Sequence, residues 1–149
     1  MDTPVSMVLK RKGYRVWSVS PQVSVLDAVR EMNAHETGCI LVMEGSQLLG
    51  VFTERDVLTR VVAEERNPAT CSVRDVMTAK PHTITEDSTI QQTMDLFHSK
   101  RFRHLPVVDR SKSRVLGMIS IRDISRWLAD AHQAEAQQLR QYITGYPAT

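Results

Sequence analysis

Residues 16–44 and 81–109 carry one order of residue types at an offset of 65 positions, and the offset grows to 67 between "GVFTERD" (50–56) and "GMISIRD" (117–123). An internal repeat constrains architecture before any single residue does, because each copy must fold alike and bury an apolar face that it covers poorly by itself. The growth in offset has a visible source: the loop "RSKSRVLG" is two residues longer than "GSQLLG". Each copy opens with a short extended piece, residues 16–19 or 83–85, then a turn with helix-start chemistry at Ser24 or Asp87/Ser88. Apolar residues then recur at helical spacing, Val25, Ala28, Val29 and Met32 in one copy and Ile90, Met94 and Phe97 in the other. Strands follow, "CILVM" or "HLPVV" and "LLGVFT" or "VLGMIS", and a closing helix begins at Glu54 or Ile121.

The expected fold is therefore α/β (α+β), two tandem β-α-β-β-α repeats related by a pseudo-twofold axis, with a C-terminal helical extension. Residues 1–64 are expected to form the first repeat with an N-terminal helix, 65–72 a polar linker around Pro68, 73–130 the second repeat, and 131–149 a C-terminal helix and tail. The stretches that lead into the copies, "VSMVLKRKG" and "VRDVMTAKP", resemble each other and read as a short helix before a bend.

A chain of 149 residues, 42% hydrophobic but only 5% aromatic, can bury a core built from Val, Ile, Leu and Met. No apolar run nears the roughly 20 residues that span a bilayer, and the N-terminus lacks a long apolar stretch with a cleavage site, so a soluble, cytoplasmic protein without a membrane partner is expected. Cys39 and Cys71 form no CxxC pair, and His35, His82, His98 and His132 have no ligand spacing, which argues against a metal. Cys39 itself reads as a small buried strand residue. A formal charge of +2 does not indicate a nucleic-acid surface. Lys100, Arg101, Arg103, Arg110, Lys112 and Arg114 nevertheless gather positive charge, as a local anion site would.

The repeated heptapeptide sets a hydroxyl, Thr53 or Ser120, at a strand end and a carboxylate, Asp56 or Asp123, in the first helical turn. Free N–H groups at a helix start suit phosphate, and such an acid can accept hydrogen bonds from ribose hydroxyls. T/S-x-x-D is equally a helix cap, and one occurrence would need no other explanation. Two occurrences, each after Gly and two apolar residues, favour a nucleotide, and the two roles are compatible.

These paired copies, each ending in G-h-h-T/S-x-x-D and the second carrying "RHLPVVD", resemble a cystathionine β-synthase (CBS) domain pair, or Bateman module, over about residues 3–130. The resemblance implies adenosine nucleotides (AMP, ADP, ATP, in some cases NAD(H) or S-adenosylmethionine) in clefts between the copies, dimerisation into a flat disc, and regulation of partners in place of catalysis. It implies a first cleft where Thr53 and Asp56 meet phosphate and ribose, Pro81, His82 and Thr83 border the adenine, and Arg103, His104, Pro106 and Arg122 face the phosphates. A second cleft would use Ser120 and Asp123, with Val16, Trp17 and Ser18 near the base and Arg55 as its cation. Gly38 and Cys39 stand there in place of Arg103 and His104. The second cleft is therefore expected to be empty, weaker, or filled by a less charged ligand stacked on Trp17.

An enzyme assembled from Ser120, His104 and Asp123 would lack a strained nucleophile elbow and an oxyanion site, so neither catalysis nor a catalytic cofactor is expected. The last helix is expected to run to about Tyr142 and to stop at Gly145 and Pro147, with Trp127, Leu128, Ala131, Leu139 and Ile143 as a partial apolar stripe that packs on its own chain or in a dimer. The expected function is a stand-alone adenine-nucleotide sensor of energy state, a homodimer acting in trans on a protein effector by a ligand-dependent change of shape. The alternative is a structural dimerisation module without a ligand. A nucleic-acid binder using residues 100–114 ranks last and would betray itself by steep salt dependence.

Overall fold

A computed structural model describes residues 2–144. The stop expected at Gly145 and Pro147 lies outside the described residues, as does the side chain of Ile143 in the expected stripe. The chain is a mixed α+β protein with five α-helices and two sheets among the described residues. After helix α1 (Val5–Lys12), the first copy runs β1 (Ser18–Val19), α2 (Val25–Ala34), β2 (Cys39–Glu44), β3 (Gln47–Thr53) and α3 (Glu54–Asp56), which passes into a π-helical stretch, Val57–Val62. A 3-10 turn (Val73–Asp75) and β4 (Thr78–Ala79) lead to the second copy: β5 (Ile84–Thr85), α4 (Ile90–Lys100), β6 (His104–Val108), β7 (Val115–Ser120) and the long α5 (Ile121–Thr144).

Matching hydrogen bonds make the pseudo-symmetry concrete. The first strand of each copy lies parallel to the second, which pairs antiparallel with the third. Cys39 faces Thr53 as His104 faces Ser120, and Glu54 N donates to Gly38 O as Ile121 N donates to Arg103 O, both at 3.0 Å. Helix α2 is capped by Ser24, whose hydroxyl accepts from Asp27 N at 3.1 Å, and it buries Val25, Ala28 and Met32. The cap of α4 falls on Thr89, not on Asp87/Ser88, because Thr89 and Gln92 complete a reciprocal capping box. Ser88 instead accepts from Thr85 N at 3.3 Å and tightens the preceding turn.

Each lead segment crosses to the other copy. Val5, Val8 and Leu9 of α1 are buried with Ile84, Ile90, Leu105, Val107 and Ile119 of the second repeat. Val73 and Val76, which precede the second repeat, are buried with Val25, Ile40, Val42 and Phe52 of the first. The backbone agrees: Ile90 N donates to Thr3 O at 2.9 Å and Val25 N to Cys71 O at 2.8 Å. Burying a Val or Leu side chain contributes about 1.5–3 kcal/mol, so this exchange couples the folding of the two copies. No helix among the described residues is long and apolar enough to cross a membrane.

Candidate functional site where the repeats meet

Both heptapeptides are built alike. Thr53 Oγ1 accepts from Asp56 N at 3.1 Å while Asp56 Oδ2 accepts from Thr53 N at 3.1 Å. In the second copy the corresponding distances are 3.1 Å and 2.9 Å for Ser120 and Asp123. The leading glycines answer to the crossed lead segments. A Cβ on Gly50 would stand 2.6 Å from Thr78 O and 2.7 Å from Met77 Sδ, and one on Gly117 would stand 2.9 Å from Leu9 Cδ2.

The same crossing gives each carboxylate a partner from afar. Thr78 Oγ1 donates to Asp56 Oδ1 at 3.3 Å and to Oδ2 at 3.4 Å, and Arg60 Nε stands 3.6 Å from Oδ1. Asp56 is only 6% exposed, so its carboxylate is enclosed by its own chain. Lys12 Nζ donates at 2.7 Å to both Asp123 Oδ2 and Met118 O. Asp123 Oδ1 has no hydrogen-bond partner among the described residues and is the freer acceptor.

At the centre the equivalent positions Cys39 and His104 hold unlike groups. Burial, then the charge of Lys12, pushes the His104 pKa below its ordinary value, with Asp123 and Glu54 opposing and Arg103 assisting. His104 is therefore a neutral hydrogen-bonding group at pH 7. Burial, assisted by Asp56 and opposed by Lys12, pushes the Cys39 thiol up to about 12. Glu54, in the first repeat, acts on His104, in the second, against the effect of burial. A Cβ on Gly38 would overlap the Glu54 carboxylate. Where the second copy carries Arg103, the first thus presents an acid, a poor neighbour for phosphate.

The other expected residues fall into three settings. Pro106 is buried in β6 opposite Met118 and can only form wall, whereas Arg55, Arg103 and Arg122 are exposed and their guanidinium groups make no hydrogen bond or ion pair among the described residues. Val16, Trp17 and Ser18 lead along β1, and the Trp17 indole stacks on His35 at 3.6 Å and 6°, so its own chain covers one ring face. Pro81 and Thr83 line a cleft of about 420 Å³ together with the hairpin turns, while His82 tilts against Phe102 at 5.7 Å. Sequence reasoning missed Lys12, Thr78 and Glu54. The likeness of the two lead segments was the available signal for the first two.

Two copies that exchange lead segments and repeat one capped strand-to-helix motif define a tandem-repeat module. The family model for the CBS domain matches residues 2–63 and again residues 73–130. CBS domain-containing protein CBSX3, mitochondrial, of Arabidopsis thaliana is 33% identical, with 97% of this chain and 73% of that protein covered. A solved CBS-domain protein of Agrobacterium tumefaciens is 35% identical at a TM-score of 0.78, covering 83% of this chain and 98% of its own. Another, from Pyrobaculum aerophilum and complexed with AMP, shares the fold at 20% identity and a TM-score of 0.71, covering 80% and 88%. The chain belongs to the CBS domain family, as a tandem CBS pair.

Proposed function

We propose that this CBS pair is a regulatory module that binds an adenine nucleotide (AMP, ADP, ATP or NAD(H)) where the motif ends meet, and signals in trans to a protein partner through a ligand-dependent shape. The observation that carries this reading is Lys12 of α1 reaching across to Asp123 and Met118 at the capped start of α5, where His104 pairs with Ser120. Lys12, Arg103 and Arg122 provide charge for phosphate and His104 a neutral donor. Asp123 Oδ1, expected in the second cleft but at the motif end where His104 pairs with Ser120, provides the ribose acceptor in place of the enclosed Asp56. The AMP complex of the Pyrobaculum aerophilum relative supports the ligand class. Glu54 beside Gly38 supports unequal clefts, the more anionic one disfavouring polyphosphate. A ligand that contacts both repeats shifts shape by its differential affinity for the two arrangements, which a partner can then read.

The module is also read as a homodimer. Leu58 and Val62 stand 64% and 63% exposed on the π-helical stretch, and Leu58 borders a cleft of about 590 Å³ shared with Val29, Met32 and Val57. A second copy suits such an apolar face. Sedimentation tests this part: Leu58→Glu is expected to yield monomer, and an unchanged assembly would assign the interface elsewhere.

Amide shift mapping with AMP tests the nucleotide reading. Saturable changes are expected at Lys12, Thr53, Glu54, His104, Ser120 and Asp123. Absence of saturation at millimolar AMP, or changes confined to other surfaces, would overturn it.

A further inference from the structure

The two-residue extension in the second hairpin turn builds a loop that the first repeat lacks. Asp109 organises it: Oδ1 accepts from Ser111 Oγ at 3.0 Å, Ser113 N at 2.9 Å and Arg114 N at 3.3 Å, and Oδ2 accepts from Ser113 Oγ at 3.2 Å. Asp109 N donates to Arg114 O at 3.0 Å and Lys112 N to Asp109 O at 2.9 Å, closing the backbone. That carboxylate is engaged within the loop and leaves Lys112 and Arg114 without a counter-ion. Arg110, their neighbour, is neutralised by Asp87 at 2.7 Å and takes no part.

Lys112, Ser113 and Arg114 line one side of the 420 Å³ cleft, and the first repeat's turn at Ser46 with the connector at Lys80 and Thr83 lines the other. Three cationic side chains therefore border one inter-repeat space that no carboxylate lines. None of the three makes an ion pair or side-chain hydrogen bond among the described residues. Lys80 and Lys112 both stand on left-handed backbone, φ 49° and 61°, where glycine would be the less strained residue. Unpaired like charges around one cleft raise its potential and favour an anion there. The hydroxyls of Ser46 and Thr83 add neutral donors.

We propose that this cleft is a binding site for a compact, multiply charged phosphate group, of the diphosphate class, held by Lys80, Lys112 and Arg114. It stands apart from the nucleotide reading and shares with it only Pro81 and Thr83. Its size suits a small ligand that carries such a group.

Isothermal titration of the full chain with sodium pyrophosphate at fixed ionic strength tests the site. One saturable event per chain is expected. Lys112→Ala/Arg114→Ala should weaken it by about tenfold or more, since it deletes two charge-assisted contacts. Lys80→Ala should weaken it less, whereas Arg30→Ala/Arg126→Ala, which removes the same charge from surfaces outside the cleft, should leave affinity within about twofold. Arg103→Ala/Arg122→Ala, which removes the motif-end cations that the nucleotide reading gives to phosphate, should leave pyrophosphate affinity within about twofold, so failure of the nucleotide reading would not be mistaken for failure here. Absence of saturable heat up to about 10 mM, or a loss in either of these control variants equal to that of Lys112→Ala/Arg114→Ala, would overturn the proposal. Thermal melts of each variant confirm that it is folded.

Discussion

Gly50→Ala should damage this protein and Gly117→Ala should hardly do so, although the two glycines hold equivalent places in the repeat. At Gly50 the new methyl meets backbone, Thr78 O at 2.6 Å, and the sulfur of Met77 at 2.7 Å. Ordinary contact needs about 3.5 Å, so β4 must retreat by roughly 1 Å. That retreat strains the pairing of Gly50 with Ala79 and carries the Thr78 hydroxyl, already 3.3 and 3.4 Å from the Asp56 carboxylate, beyond hydrogen-bonding range. Overpacking costs about 1–3 kcal/mol, and alanine regains about 0.5–1 kcal/mol of backbone entropy, leaving a net loss of roughly 1.5 kcal/mol. For a chain of this size that is about 3–6 °C in Tm. At Gly117 the obstacle is a terminal methyl of Leu9 at 2.9 Å, which a side-chain adjustment relieves at about the entropic gain. Calorimetric melts of the three proteins decide the matter. Equal losses, or a larger loss at Gly117, would refute the argument that a crossing backbone requires the first glycine.

Three further predictions concern the centre. Lys12→Met removes a charge that holds the His104 pKa down, so imidazole NMR should show that pKa rising, while stability falls by less than about 1 kcal/mol because Lys12 is partly exposed; an unmoved His104 would contradict the cluster. His104 has its folded pKa below the ordinary 6.5, so its contribution to stability is complete above about pH 6.5 and is lost as pH falls through the folded value. Urea midpoints at successive pH values should show this decline, and His104→Asn should flatten it. Cys39, with its thiol raised to about 12 and 4% exposed, should resist a thiol reagent until the protein unfolds, whereas Cys71 should react in the native state; two equally fast thiols would show that the strand does not protect Cys39.

Much of this fold could be read from the residues because local signals and the repeat agree. "HLPVV" and "VLGMIS" coincide with β6 and β7 residue for residue, and Ser24 caps α2 as its position suggests. The opening strands are shorter than expected, two residues each, because only Ser18–Val19 and Ile84–Thr85 reach a parallel neighbour. The π-helical continuation after Asp56 left no mark in the apolar spacing. At the site, Thr53 with Asp56 and Ser120 with Asp123 were legible as caps because capping involves only four consecutive residues. Lys12 against Asp123 and Thr78 against Asp56 were not, since both depend on lead segments crossing between copies. The stacking of Trp17 on His35 likewise joins the residue before β1 to the end of α2, a contact that only packing creates.

The most direct test of the central claim is isothermal titration of the purified chain with AMP, ADP, ATP, NAD⁺ and NADH in one buffer, with stoichiometry fitted freely. Micromolar binding of at least one of them at one site per chain is expected, in keeping with unequal motif ends. No heat from any, confirmed by no thermal shift, would contradict it and leave the repeated "GVFTERD" a helix cap used twice.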